Sequence, residues 1–268
     1  MTPLSSENMQ APKIADFPEH FFKYRALDTE QQREWVKRTL LNNEIYWAAP
    51  ASFNDPFDCA PIYEVPPRHL RGPMIHRVAQ AEGRFANRAE RRRRERQLAR
   101  MPNNILEAGI DNIKTMVLQE TAVYSLASAA DEILMWSHYS GAHTGISLRF
   151  RPRPLLRTFN VAFPVRYTPD RPTVMIGLDE RTELLQKMLL TKADIWSYEQ
   201  EWRFVGWREG PGPRQFQAGA LDGIILGERI SAANEELVRR WVAARTGDPI
   251  EVLRATLDPH LFQLQIRP

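Results

Sequence analysis

Two glutamates and an arginine at alternate positions stand out in the segment IWSYEQEWRFVGW, which runs from Ile195 to Trp207. Side chains of an extended strand alternate between its two faces, so Glu199, Glu201 and Arg203 would share one face, and the aromatic residues between them would face the core. Paired carboxylates beside an arginine suit general acid–base chemistry or the stabilisation of a developing positive charge. The alternative is a set of ion pairs on an open strand face. We take Glu199 and Glu201 as candidate catalytic residues and Arg203 as a candidate substrate-binding residue.

Residues just upstream would complete such a site. Trp196 and Tyr198 would give the polar face an aromatic wall. Lys192, one turn before Trp196 if the preceding helix continues, would reach the same region as a further substrate-binding residue.

The stretch ASFNDPFDCA is a second unusual feature. The sequence Asn54-Asp55-Pro56 is a turn signature, because Asn and Asp side chains bond the backbone ahead while proline fixes φ. We predict that Asn54 and Asp55 line a pocket and bind substrate. The alternative is a capped turn in which Asp55 or Asp58 only holds backbone amides. In that turn, Phe53 and Phe57 would pack onto the core.

A third stretch, EILMWSHYSGAHTGISLRF, reads as a short helix that a glycine ends before a strand. In the functional interpretation Trp136 and Tyr139 stack on a planar ligand and His138, a candidate catalytic residue, hydrogen-bonds it. In the structural interpretation His138 is only a packed residue.

The sequence offers no pattern of metal ligands. His138 and His143 are five residues apart, which does not fit a zinc-protease helix, and Cys59 is the only cysteine. We therefore expect no metal.

An arginine-rich stretch, GRFANRAERRRRERQLAR, carries Arg91 to Arg94 in an unbroken row. Four consecutive helical residues point in all directions, which favours a solvated helix. The alternative is a functional interpretation, in which these arginines contact phosphate groups or nucleic acid.

Strands and helices must position these residues. The sequence predicts an α+β fold with a single mixed, mainly antiparallel sheet, because short strands alternate irregularly with helices. We expect a loose leader over residues 1–17 and one domain over 18–268, with a helical insertion at about 66–120. Predicted strands lie at 21–25, 44–49, 122–127, 145–150, 160–167, 200–207, 222–227, 250–255 and 261–266. Predicted helices lie at 28–43, 130–139, 179–192 and 232–245.

Bulk properties add weaker constraints. The 268 residues are 43% hydrophobic and 26% charged with a net charge of +3, which is typical of globular proteins. The N-terminus lacks the features of a signal peptide, and no apolar run suits a membrane span. We expect a cytoplasmic protein without membrane contact, and nothing indicates its oligomeric state.

The blocks FFKYR, IYWAAPASFNDPFD, LMWSHYSGAHTGISLRF and WSYEQEWRF, followed by GIILG, resemble a bacterial family in this order. It is the domain-of-unknown-function family 2971. The resemblance runs from about residue 21 to 227 and implies no established activity. Members tend to have a Cys-Phe-Ser strand where this chain has VYSLAS, so Ser125 or Ser128 is a loose equivalent.

A weaker resemblance concerns ADP-ribosyltransferases with an Arg–Ser–Glu arrangement. The matching positions are Arg25 on the first strand, Ser125 in the middle, and Glu199-Gln200-Glu201 late in the chain. The resemblance implies that NAD is a co-substrate, that the last glutamate stabilises an oxocarbenium-like state, and that the arginine meets the pyrophosphate. It also implies a split, mixed sheet. Tyr24 and Arg25 are therefore candidate substrate-binding residues.

Three functions follow from these features. The first is an ADP-ribosyltransferase-like enzyme that consumes NAD. The second is a non-catalytic module that recognises a nucleotide or nucleic acid. The third is a hydrolase or nuclease that uses Asp55, Asp58, His138 and Glu201.

Overall fold

A computed structural model describes residues 12–13, 16–82, 85 and 87–268. Most of the predicted leader and a few residues of the predicted insertion lie outside this set. The strands are β1 (Phe21–Arg25), β2 (Glu44–Trp47), β3 (Ile62–Tyr63), β4 (Ala122–Ala127), β5 (Ile146–Phe150), β6 (Ala162–Pro164), β7 (Arg166–Thr168), β8 (Thr173–Val174), β9 (Thr191–Ala193), β10 (Glu201–Gly206), β11 (Gly212–Gln215), β12 (Leu221–Leu226), β13 (Glu251–Leu257) and β14 (Leu264–Arg267). The helices are α1 (Glu30–Asn42), α2 (Arg71–Glu82), α3 (Arg88–Ala99), α4 (Asn103–Glu120), α5 (Ile133–Tyr139), α6 (Pro152–Phe159), α7 (Arg181–Leu189) and α8 (Ala232–Ala244).

One sheet of eight strands forms the centre of the fold, in the order β14-β13-β12-β5-β1-β4-β10-β6. All neighbouring strands in it are antiparallel except β12 and β13, which are parallel. This confirms the predicted α+β class with a mixed, mainly antiparallel sheet.

Local signals explain the first elements. Helix α1 begins with a capping box, in which Thr29 accepts from the backbone of Gln32 and the Gln32 side chain accepts from the backbone of Thr29. Its buried apolar side chains, Val36 and Leu40, belong to the main core. The helix ends at Asn43, whose left-handed backbone is a common helix terminator.

The centre of the sheet is split between β1 and β4. These strands are paired at a single position, Phe22 with Ala127, whereas β1 is paired with β5 along its whole length. Farther along β4, Val123 forms an isolated bridge with Ala48 instead. The ends of β1 and β4 beyond their one pair therefore border an opening in the sheet.

The segment around Glu199 is not one strand, which corrects the sequence analysis. Residues Asp194–Glu199 form a 3-10 helix, Gln200 is left-handed with a φ of 45°, and the strand begins at Glu201. The alternation argument holds for Glu201 and Arg203 and fails for Glu199. Lys192 is likewise not helical, because α7 ends at Leu189 and Lys192 lies in β9.

Helices α2, α3 and α4 lie between β3 and β4, where the sequence predicts an insertion. These helices share a small apolar cluster that is separate from the main core. In this cluster Leu98 of α3 packs with Met74 and Ile75 of α2. Within the described ranges, no helix has the length and apolar character needed to cross a membrane.

Candidate functional site

A cavity of about 350 Å³ lies where β1 and β4 separate. This volume is at the small end of the range for ligand pockets. Charged and polar side chains from distant parts of the chain converge on it, which composition alone does not predict. Its polar lining consists of Lys23, Tyr24, Arg25, Gln32, Ser52, Asn54, Asp55, Asp58, Ser125, His138, Tyr139, Lys192, Glu199 and Glu201.

Lys192 joins the carboxylates of the cavity wall. Its Nζ lies 2.5 Å from Oε2 of Glu199, 3.5 Å from Oε2 of Glu201 and 3.4 Å from Oδ2 of Asp58. All four side chains are buried. One cation thus neutralises part of the charge of three carboxylates, and it fixes Glu199 and Glu201 side by side although only Glu201 belongs to the strand.

Arg203 supports this group from behind. It is 0% exposed and does not line the cavity, so a direct contact with substrate, as predicted from the sequence, is not possible in this structure. Its Nε donates to Oε1 of Glu201 at 2.8 Å, and its Nη2 donates to Oε2 at 2.9 Å and to Asp58 at 2.7 Å. The remaining nitrogen, Nη1, donates to the carbonyl of Leu189 at 2.7 Å. Arg203 therefore positions Glu201 and Asp58 rather than a ligand.

The two glutamates have pKa values displaced in opposite directions. Burial acts to raise the pKa of Glu201, but Arg203 and Lys192 outweigh burial and lower it to about 2. Burial raises the pKa of Glu199, and the neighbouring Glu201 charge adds to this, against the opposing effects of Lys192 and Tyr139. Two adjacent carboxylates whose environments separate their pKa values are a typical arrangement for acid–base catalysis.

Two cations on β1 face the cavity without a carboxylate partner. Arg25 is half-buried, and within the described residues it forms no hydrogen bond and no ion pair. Lys23 donates to the carbonyl of Ser125 at 2.6 Å, and burial together with Arg25 lowers its pKa to about 7. An uncompensated, partly desolvated charge is costly, so this wall is suited to an anionic ligand. The sequence analysis missed Lys23, although its spacing of two from Arg25 in a predicted strand places both on one face.

The Asn54-Asp55-Pro56 turn contributes to the cavity as predicted, since both Asn54 and Asp55 line it. Oδ1 of Asp55 accepts from the backbone of Phe57 at 2.8 Å, so this carboxylate also holds its own turn. Phe57 is mostly exposed and does not pack onto the core, which corrects that expectation. The residue with most influence on the site here is Asp58, through its contacts with Arg203 and Lys192.

Helix α5 brings two of its predicted residues to the cavity. The hydroxyl of Tyr139 donates to Oε1 of Glu199 at 2.6 Å. His138 is exposed at the cavity edge, beside the rings of Trp196 and Tyr198. Trp136 is completely buried, and its Nε1 donates to the carbonyl of Ala130, so it is a core residue and cannot stack on a ligand as predicted.

The remaining residues singled out in the sequence have clear places. Tyr24 lines the cavity, but its hydroxyl donates to the carbonyl of Ala129 at 2.7 Å. Ser125 lines the cavity, whereas Ser128 donates to Gln200 and does not. Arg91 to Arg94 lie in α3, and none of them lines the cavity.

Nowhere in the described part of the chain do three or more His, Cys, Asp or Glu side chains form a group able to hold a metal ion.

Comparison with protein families gives a match. The family described as Protein of unknown function (DUF2971) matches residues 135–204, which confirms the resemblance predicted from the sequence over this segment. This segment contains His138, Tyr139, Lys192, Glu199 and Glu201, which line the cavity. The chain matches no curated protein and no solved structure.

Proposed function

We propose that this chain binds NAD in the cavity between β1 and β4 and transfers its ADP-ribosyl group to an acceptor. The observation that carries the proposal is the charge arrangement of the cavity. Two cations without carboxylate partners, Lys23 and Arg25, line it together with the ionised carboxylate of Glu201. In this reaction the diphosphate of NAD requires cations, and the adjacent ribose, which develops positive charge, requires a carboxylate. Both kinds of group must therefore lie in one cavity.

Strand order supports the proposal independently. The three positions that match the Arg–Ser–Glu arrangement are Arg25 on β1, Ser125 on β4 and Glu201 on β10. These strands are neighbours in the sheet, and all three residues line the same cavity. Residues 25, 125 and 201 are far apart in the chain, so their convergence is not a consequence of local sequence.

Glu201 is the catalytic residue in this proposal. Its two hydrogen bonds with Arg203 hold the carboxylate in one orientation before any substrate arrives. A fixed, desolvated negative charge stabilises an oxocarbenium-like ribose more than it stabilises the neutral ground state, which is the requirement for rate acceleration. With a pKa of about 2, Glu201 is ionised at neutral pH.

Glu199 is the general base in this proposal. The bond between C1′ of the ribose and N1 of nicotinamide breaks, its electron pair leaves with neutral nicotinamide, and a nucleophilic atom of the acceptor bonds to C1′. The proton of that nucleophile passes to Glu199, whose raised pKa makes it the better proton acceptor of the two glutamates. Lys192 and Tyr139 hold Glu199 in place for this step.

Arg25 and Lys23 would bind the diphosphate of NAD. Guanidinium groups pair with phosphate oxygens in a bidentate geometry, and the gain is greatest for a group that has no other partner. The volume of about 350 Å³ is small for an entire dinucleotide, so the nicotinamide riboside part would fill the cavity and the adenosine part would lie at its mouth.

The other two functions predicted from the sequence make different predictions. A recognition module would bind NAD or another nucleotide without breaking a bond. A hydrolase or nuclease would depend on residues that all line the cavity, namely Asp55, Asp58, His138 and Glu201. One carboxylate oxygen of Asp55 is already engaged by its own turn, which is why we favour glycosyl transfer.

Calorimetric titration with NAD tests the binding part. We expect wild-type protein to bind NAD, and Arg25→Gln to weaken binding by roughly tenfold or more, since a hydrogen bond to a charged group contributes about 1.5–3 kcal/mol. Arg157→Gln, at an exposed arginine of α6, is the matched control and should bind like wild type. Absence of binding at millimolar NAD would refute the proposal.

A further inference from the structure

The arginine-rich helix α3 has two different faces. Leu98 is buried against α2, and Arg91, Arg94 and Glu95 on the same side are half-buried. Arg91 pairs with Glu95, and Arg94 donates to Gln97. The opposite side carries exposed arginines at intervals of mostly four residues. We define these as the arginine ridge: Arg88, Arg92, Arg93, Arg96 and Arg100.

Arg91 to Arg94 point to different sides of the helix, as the sequence predicts, but the exposed arginines of the whole helix lie together on one side. Burial of Leu98 fixes the rotation of α3, so Arg91 and Arg94 turn inward while Arg92 and Arg93 turn outward. Four positions correspond to about 6 Å along a helix, so the ridge runs for roughly 18 Å from Arg88 to Arg100. The positive charge therefore forms a continuous line along one side of the helix and is not spread evenly around it.

The part of the protein that the structure describes does not neutralise the ridge. None of its five arginines forms an ion pair or a side-chain hydrogen bond with another described residue. Residues 88–100 hold seven arginines and two glutamates, a formal charge of +5, whereas the entire chain has only +3. The rest of the chain is therefore slightly acidic, and the field around this helix would orient a polyanion toward it.

We infer that the arginine ridge binds the sugar–phosphate backbone of a nucleic acid, without base specificity. The basic residues between 88 and 100 are all arginines, with no lysine among them. Arginine pairs with phosphate oxygens in a bidentate geometry, and phosphates repeat at short, regular intervals along a strand. A linear ridge of unpaired guanidiniums is complementary to such a row of charges.

A membrane surface is a poorer partner for this helix. Helices that lie on membranes bury large apolar residues on the side opposite their basic one. The large apolar residue of α3, Leu98, is already buried in the insertion, and the exposed side offers only arginine, alanine, asparagine, glutamate and glutamine. The exposed side of α3 could attract an anionic bilayer by its charge, but it has no apolar side chain that would insert into the bilayer.

Fluorescence anisotropy with labelled oligonucleotides tests the inference, with NAD left out so that the result is independent of the proposed function. Single-stranded DNA, single-stranded RNA and duplex DNA of mixed sequence serve as separate probes. The test variant replaces Arg88, Arg92, Arg96 and Arg100 by glutamine, which preserves helix propensity. The matched control replaces four exposed arginines elsewhere by glutamine: Arg153, Arg157, Arg181 and Arg240.

We expect wild type and the control to bind at least one probe, and the ridge variant to bind it about tenfold or more weakly at low salt. The slope of log K against log salt is negative, and its magnitude should decrease by roughly 0.7–0.9 for each phosphate contact that is lost. Comparison of the three probes identifies the kind of nucleic acid. Circular dichroism verifies that both variants remain folded.

Three results would overturn the inference. One is the absence of binding by wild type to every probe at about 50 mM salt, where backbone contacts are strong. The second is an equal loss of affinity in the ridge variant and the control. The third is binding to phosphatidylserine vesicles or to polyglutamate that is lost in the ridge variant while binding to nucleic acid is unchanged.

Discussion

Arg203 holds the carboxylate of Glu201 from the interior of the protein, with Nε 2.8 Å from Oε1 and Nη2 2.9 Å from Oε2. The arginine is inaccessible to solvent, while the glutamate, 6% exposed, reaches the cavity. A bidentate pair of this kind fixes the plane of the carboxylate as well as its charge. On the strand, Arg203 is thus a buried support, and Glu201 is the residue that reaches the cavity.

Removal of the arginine should destabilise the fold strongly. Arg203→Met leaves Glu201 and Asp58 buried without their main partner, and breaking a buried pair from one side costs about 3–5 kcal/mol. We expect a loss of this size in the free energy of unfolding, measured by urea denaturation.

Arg38→Met is the control for this prediction. Arg38 pairs with Glu34 and Glu44 on the surface, where solvent screens such pairs and they contribute little to stability. A similar cost for both variants would contradict the structural role given to Arg203.

Residue periodicity predicted most of the fold. The strand at Phe21–Arg25 and helix α1 are as expected, and the mixed, mainly antiparallel sheet is confirmed. The prediction was wrong around Lys192 and Glu199. There, a left-handed backbone at Gln200 and a 3-10 helix interrupt the pattern, and no residue type in the sequence demands either of them.

Predicting the site required knowledge of which strands are neighbours. The aromatic block around Trp136 contains both core and cavity residues, and burial alone decides between Trp136 and Tyr139. Lys23 was overlooked because a lysine in a strand is usually solvated. Its significance comes from the separation of β1 and β4, a feature of long-range pairing that the sequence of either strand does not contain.

Loss of the Tyr139 hydroxyl should change the titration of Glu199. The hydrogen bond from Tyr139 favours the ionised carboxylate, so Tyr139→Phe raises the pKa of Glu199 further. If Glu199 is the base, the acidic limb of the pH–rate profile moves to higher pH, with less activity on its acidic side. Tyr46→Phe, at an exposed tyrosine, should leave the limb in place. A limb that stays fixed or moves to lower pH would exclude Glu199 as the base.

Binding of NAD should take up protons near neutral pH. The pKa of Lys23 is lowered to about 7, so the amine is largely neutral at pH 8, and a bound diphosphate raises this pKa again. We expect the affinity for NAD to decrease as pH rises through 7, with net proton uptake on binding.

Calorimetry in buffers of different ionisation enthalpy measures this proton uptake. Lys23→Arg keeps a permanent charge at the position and should bind NAD with little pH dependence over the same range. Proton release on binding, or an equal pH dependence in this variant, would contradict the role of Lys23.

Nicotinamide release from NAD by wild type and by Glu201→Gln tests the central claim most directly. The amide is nearly isosteric but neutral, so it removes the charge that stabilises the developing cation. At saturating NAD, the rate of release by Glu201→Gln should be roughly 10²-fold or more below that of wild type, while NAD still binds. Glu236→Gln, at an exposed glutamate, is the control. Release within a few-fold of wild type in Glu201→Gln, or no release by wild type under NAD saturation, would contradict the claim.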